Sequence, residues 1–274
     1  MSGRPRPSSS TLEIPHMESR TVRAGHGWTW IKAGFALFRK SPANWLALVL
    51  VLFAATKLLA LVPILGVVIV LLMPLFIVGL MEGCRSLERG ERLQFAHLAC
   101  GFQSNPSRLV TLGGISLVGN LLLMMLIMSI GGEAISMMTK TVAQGVPPGS
   151  PTPEIQAASV TVARALLVGM LLSLPLLMAL WYAPLLVYFN DMGALAAMKS
   201  SLIACAKNAP AMLVYGLAIM AGLFLTMPFA MALRQYDLAL WLLAPVVLPS
   251  LYMSYKDIYL AGTAPQRGPD SVAG

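Results

Sequence analysis

The sequence predicts an all-α membrane protein: six transmembrane helices in three repeated units, each an interfacial amphipathic helix plus a transmembrane hairpin. Three observations predict it. Of 274 residues, 57% are hydrophobic and 11% charged, where a soluble domain carries about 25% charged residues, and the mean hydropathy is +0.76. Apolar stretches long enough to cross a bilayer, about 20 residues each, follow one another along the chain. Prolines recur at matching places around them. In so apolar a chain the formal net charge of +8 points to anionic headgroups and positive-inside loops, and away from nucleic acid.

Residues 1–26 are polar, rich in Pro and Ser, and carry Arg4, Arg6, Arg20 and Arg23. They hold no apolar core of a secretory signal and read as a disordered cytoplasmic tail. Met17 opens MESRTVRAGHGW, itself a sensible start, so residues 1–16 are expected to be an upstream extension. Detection of Ser2 or Gly3 peptides at the mature N-terminus by mass spectrometry would overturn that expectation.

The membrane domain is expected over residues 27–260, opening with GWTWIKAGFALFRKSPANW (Gly27 to Trp45). At 100° per residue, Trp28, Ile31, Phe35 and Phe38 gather on one side, widened by Trp30 and Leu37; Thr29, Lys32, Arg39 and Lys40 are assigned to the other. Such a segment lies in the headgroup plane. Pro42 then opens a new helix. Ala43 to Met81 is apolar apart from Lys57 and is long enough for two spans, about 43–61 and 64–84, with Lys57 snorkelling at the far end.

A charged loop follows (Arg85, Glu88, Arg89, Glu91, Arg92), then a second amphipathic piece, LQFAHLACGFQSNP, and a third span at about 109–130. Residues 131–160 read as the longest polar connection, with GVPPGSPTP a disordered loop inside it. The fourth span is expected at about 162–186. A third amphipathic piece, ALAAMKSSLIACAKNAP, carries Lys199 and Lys207 and leads to spans at about 211–232 and 238–254. Residues 261–274 read as a second disordered cytoplasmic tail. Of the Lys and Arg residues, 15 fall on the side of the termini and 4 on the other, so both termini are expected in the cytoplasm of a bacterial inner membrane.

Three segments align on a proline: FRKSPANWLALVL at Pro42, FQSNPSRLVTLGG at Pro106, AKNAPAMLVYGL at Pro210. The returning spans align on Pro74, Pro184 and Pro249, expected helix kinks, each reaching an acid seven or eight places on (Glu82, Asp191, Asp257). All three units enter from one side, so the repeat is parallel.

The motifs G-W-x-W-I, G-F-x-L-F-R-x-x-P-x-x-W, C-R-x-L-E-R-G-E (Cys84 to Glu91) and Y-x-S-Y-x-D-I-Y (Tyr252 to Tyr259) resemble uncharacterised betaproteobacterial multi-pass inner-membrane proteins over about residues 20–260. More distantly, the chain is similar to the membrane domain fused to some glycerophosphodiester phosphodiesterases. The resemblance implies fold and location, and no activity.

Candidate chemistry is sparse. His97 and Cys100, with Cys84 near, are too few for a metal site, and Met124, Met125 and Met128 read as apolar packing rather than copper ligands. The Gly113–Gly119 stretch reads as a close-packing face, and Asn120 as a bond across helices. Glu82, Asp191 and Asp257 are expected to pair with Arg85, Lys199 or Lys256. Cys84, Cys100 and Cys205 form no disulfide framework. No cofactor and no enzyme activity are expected. The expected interface residues are Trp28, Trp30, Lys32, Phe35, Phe38, Arg39, Lys40, Lys199 and Lys207. The expected partners are membrane lipids with anionic headgroups, with a homo-oligomer or another membrane complex possible. The function favoured is a non-enzymatic lipid-interacting or membrane-complex component; the alternative is a transporter or channel for a small or amphiphilic solute.

Overall fold

Five of the six long helices open on a proline or one residue before it, where the missing N–H is no loss and the fixed φ suits a first turn. The computed structural model describes residues 19–143 and 152–261. Of the expected tails, residues 1–18 and 262–274 lie outside the described residues, as does most of GVPPGSPTP; residues 19–25, expected in the disordered tail, are placed, with Arg20 N–H bonded to the Ile258 carbonyl. In order, the helices are α1 (His26–Phe38), α2 (Pro42–Leu59), α3 (Pro63–Glu88), a 3₁₀ turn (Phe95–Ala99), α4 (Cys100–Gln103), α5 (Pro106–Ala143), α6 (Pro153–Trp181), α7 (Ala183–Asn190), α8 (Ala194–Lys207), α9 (Ala209–Ala232) and α10 (Leu238–Tyr255), which ends in a π turn, Lys256–Leu260. No strand occurs among the described residues. Among the described residues, six helical stretches are long and apolar enough to span a membrane: α2, α3, α5, α6 with α7, α9, and α10 with its π turn.

Two boundaries differ from expectation. The polar connection 131–160 is largely helical: α5 runs 38 residues and α6 opens at Pro153. At 1.5 Å per residue α5 is about 57 Å long, against a hydrocarbon core of about 30 Å. Packing sustains it. Ala165 is fully buried, a Cβ on Gly131 would come within 2.8 Å of that side chain, and one on Gly169 within 2.5 Å of Ile127. Small residues let α5 and α6 run in close contact, and that contact holds the helix past the point where hydropathy fades.

The second difference is at Pro184. The sequence expects a kink within one span, but the chain stops at Trp181 and restarts at Ala183, with Pro184 in the first turn of α7. Ser201 of α8, wholly buried, spans the break. Its hydroxyl accepts from the Tyr182 N–H at 2.9 Å and donates to the Met178 carbonyl at 2.6 Å. Tyr182 N–H and Met178 C=O would pair directly in an unbroken helix, so a side chain has been inserted into the ladder. Pro74 and Pro249 do lie inside α3 and α10, as do Pro175, Pro228 and Pro245 inside α6, α9 and α10.

The short helices pack on returning spans. α1 lies on α10 and α9, the segment 95–103 on α3, and α8 on α6 and α7. The buried core is concentrated at this end of the bundle, around Trp30, Trp45, Leu75, Met81, Tyr182, Tyr255 and Tyr259.

Candidate functional site

The site is organised on Asp257, in the π turn that closes α10. Its carboxylate accepts from Trp30 Nε1 at 2.8 Å, lies 2.6 Å from His26 Nδ1, and pairs with the Arg20 guanidinium. The backbone continues the clamp. Arg20 N–H donates to the Ile258 carbonyl at 2.9 Å. Asn208, fully buried at the α8–α9 junction, accepts from Val22 N–H at 2.8 Å and donates to the Arg20 carbonyl at 3.0 Å. The segment before α1 is thereby tied to both ends of the last hairpin.

Glycines allow α1 to dock. A Cβ on Gly27 would come within 2.7 Å of the Tyr215 backbone nitrogen, and one on Gly34 within 2.5 Å of the Ser250 nitrogen. The docked face is Gly27, Trp30, Gly34 and Leu37, spaced as one helical stripe. Trp30 is therefore no lipid-facing residue: it is 2% exposed, edge-on to Tyr215 with ring centroids 5.6 Å apart. Phe38 is half-buried against the core.

Rotating α1 onto this face also corrects the other side. Trp28, Lys32, Phe35 and Arg39 follow i, i+4, i+7, i+11 and share one outward stripe, instead of aromatics opposing cations. All four are exposed. Lys40 is also exposed, but its ammonium donates to the Leu87 carbonyl at 3.1 Å, near the end of α3 where a cation complements the helix dipole. Lys199 and Lys207 are exposed on α8, whose buried face is Ala197, Ser201, Ala204 and Cys205.

The remaining acids pair differently from expectation, apart from Glu82 with Arg85 at 3.5 Å. Lys256 pairs with Glu88, not Asp257, at 2.7 Å, and Tyr252 donates to the same carboxylate at 3.0 Å. Asp191, in left-handed conformation at φ 53, takes Arg108 at 2.6 Å and Asn105 at 2.7 Å rather than Lys199. Sequence reasoning missed Arg20, His26, Glu88 and Asn208. The signal for the docked face was Gly27 and Gly34, seven apart around Trp30.

Other candidates resolve locally. Lys57 pairs with Asp237 at 2.7 Å. Asn120 does not reach another helix: it donates to the Ser116 carbonyl of its own helix at 2.7 Å. A Cβ on Gly113 would strike the Leu71 carbonyl, and one on Gly119 would come within 2.6 Å of Leu176, so that stretch is a close-packing face on both α3 and α6. His97 caps the 3₁₀ turn through the Gln94 N–H at 3.0 Å. Burial pushes the Cys205 thiol up to about 12; burial and the nearby Glu82 charge raise Cys100.

Between α1 and the π turn lies an open cavity of about 400 Å³, lined by His26, Thr29, Trp30, Ala33, Met253, Lys256, Asp257, Leu260 and Ala261.

Fold and surface define a multi-pass α-helical membrane protein. The chain is similar to a protein of Burkholderia thailandensis described as a probable inner membrane protein, 29% identical over 257 residues that cover 89% of this chain and 93% of the relative. No family model matches the chain, and no solved structure does. These comparisons establish no link to the phosphodiesterase-associated membrane domain.

Proposed function

We propose that the chain is a non-enzymatic component of the inner membrane, with both termini in the cytoplasm, that engages the anionic cytoplasmic leaflet. The observation that carries this reading is the outward stripe of α1. Trp28 and Phe35 are 53% and 47% exposed, and Lys32 and Arg39 lie between and beyond them with no ion pair among the described residues. Aromatic rings suit the interface, and each cation near an anionic surface contributes about 1 kcal/mol. Because Gly27, Trp30, Gly34 and Leu37 fix the helix from behind, the stripe is presented at a set angle.

The same reading takes the chain as three copies of one unit. Its support is the docking order: α1 lies on α10, the segment 95–103 on α3, and α8 on α6 and α7. Each short helix thus rests on the returning helix of the preceding unit, and the first closes on the last. In two of the three interfaces a glycine meets the residue just after an aligned proline: Gly34 at Ser250, and Gly101 at Leu75. A solute path among the returning helices has less support, because Tyr182, Tyr255 and Tyr259 are buried there in ring contact at 5.5–5.8 Å.

Replacing Lys32 and Arg39 together with Gln tests the lipid reading. Anionic lipid co-purifying with the protein in native nanodiscs should fall several-fold, on the order of two cations' worth of surface attraction. Unchanged enrichment counts against it.

A further inference from the structure

The cavity beside Asp257 has a use that the stripe does not explain. Its lining is mixed: His26, Thr29, Lys256 and Asp257 are polar, and Ala33, Met253, Leu260 and the Trp30 ring are apolar. At about 400 Å³ it falls within the ~300–1,000 Å³ of small-molecule sites.

Its donors are only partly used. An ammonium has three N–H groups, and Lys256 gives two to Glu88, at 2.7 and 2.8 Å. One remains. His26 faces Asp257 through Nδ1, and its Nε2 has no partner among the described residues. With Nδ1 committed to that carboxylate, Nε2 is the ring nitrogen open to a ligand. Thr29 donates to the Gly25 carbonyl at 3.3 Å and keeps its lone pairs for a hydroxyl. Asp257 does not repel an anion strongly, because the Arg20 guanidinium offsets its charge. A spare ammonium donor and an open imidazole nitrogen beside an apolar wall match a phosphate that carries an apolar stem.

We infer that the cleft between α1 and the π turn after α10 binds one anionic glycerophospholipid, its phosphate on Lys256 and His26 and its glycerol and first methylenes against Ala33, Met253 and Leu260. This rests on the reading of the chain as a lipid-engaging component. It differs from the stripe in stoichiometry: the stripe enriches many lipids, and the cleft retains one.

The test is native mass spectrometry of the full chain, titrated with dioleoyl phosphatidylglycerol, with inorganic phosphate as a competing probe. The wild type should hold one lipid well below the concentration at which others add. Ala33→Phe fills the apolar wall without touching the ion pairs, and His26→Gln removes one phosphate contact. Each should weaken that single adduct about tenfold, the loss of one hydrogen bond to a charged group or of its equivalent in packing, while general anionic enrichment stays unchanged. Lys32→Gln with Arg39→Gln should do the reverse. A single adduct equally tight in both cleft variants overturns the inference; if Ala33→Phe does not fold, His26→Gln alone decides. Displacement of the lipid by millimolar phosphate also overturns it, by making the cleft a free-phosphate site. Failure of the stripe variant to lower general enrichment strikes the broader reading and leaves the single adduct as the separate test of this one.

Discussion

At one end of the bundle the large side chains are inside: Trp30, Trp45, Tyr182, Tyr215, Tyr255 and Tyr259 are at most 2% exposed. At the other end Leu61, Ile64, Met125, Phe224 and Leu225 are 68–83% exposed, and the buried residues there are small, such as Ala165, Ala230 and Ala239. Large apolar side chains stand at both ends, so apolarity does not decide burial. In lipid, tails are as apolar as Leu and hydrophobicity does not draw helices together; close packing and polar bonds do. The first end has Asp257, Glu88, Asn208, Ser201 and the docking glycines. The second has Lys57 with Asp237 and the small-residue contact of α5 and α6. The difference teaches where the stability of this chain is concentrated.

Removing one acid from each end should break that symmetry most. Asp257→Ala strands Trp30, His26 and Arg20 and releases the segment before α1. Orphaning partners of a partly buried charge costs several kcal/mol, and with Arg20 about 39% exposed we expect roughly 3 kcal/mol. Asp237→Ala breaks a pair whose side chains are 42% and 47% exposed, worth about 0–1 kcal/mol. Thermal unfolding in detergent should show a large drop for the first and almost none for the second. Equal drops would end the comparison.

Glycine substitutions sharpen it by changing sign. Gly34→Ala forces a methyl against the Ser250 backbone and should cost about 1–3 kcal/mol as overpacking. Gly66, in the first turn of α3 at the open end, has nothing within 4 Å of an added Cβ. There alanine should stabilise by up to ~1 kcal/mol, through helix propensity and a less flexible unfolded chain. Melting temperatures moving in the same direction would show that α1 is not docked as described.

Ser201→Ala should come next. It leaves the Tyr182 N–H unpaired in a buried setting and the Met178 carbonyl with only the weak Cys205 thiol donor at 3.6 Å, at about 1–2 kcal/mol. Ser173→Ala removes only a hydroxyl bonded to the Met170 carbonyl on an exposed helix face and should stay within about 0.5 kcal/mol. Hydrogen exchange at Tyr182 is the local readout, faster in the Ser201 variant alone.

These contrasts also show what the residues made legible. The spans were readable because hydropathy and proline position are local properties. Four of the six run close to the expected bounds, and the exceptions are informative. α5 overruns because Gly131 and Ala165 pack across helices, which a count of apolar residues along one helix misses. The break at Tyr182 depends on Ser201, nineteen places away. The docked face of α1 depends on Ser250 and Asp257, and Trp30 lies 227 residues from the latter. Trp30 and Trp28 look alike in the sequence, both aromatic and both on an amphipathic helix. Only the two glycines flanking Trp30 distinguish the ring that goes inward.

The smallest effect is on no stability at all and reads the comparison from outside. Cys84 and Cys205 lie in the tight end, 0% and 2% exposed, while Cys100 is partly open at the same end. In spheroplast-derived vesicles of known sidedness, a membrane-impermeant maleimide should label Cys100 from the cytoplasmic face and leave the other two silent. Thiolate is the reactive form. Burial and the Glu82 charge raise the Cys100 thiol, so at neutral pH it should react more slowly than an open cysteine, gaining rate as pH rises through the range above an ordinary thiol. Burial holds Cys205 at about 12, so it should stay silent across that range. Labelling of Cys100 only from the periplasmic face would invert the proposed orientation and carry the basic stripe of α1 to the wrong leaflet. Labelling of Cys205 in the intact protein would show that α8 does not close on the break after Trp181, and with it the tight end would lose one of its seams.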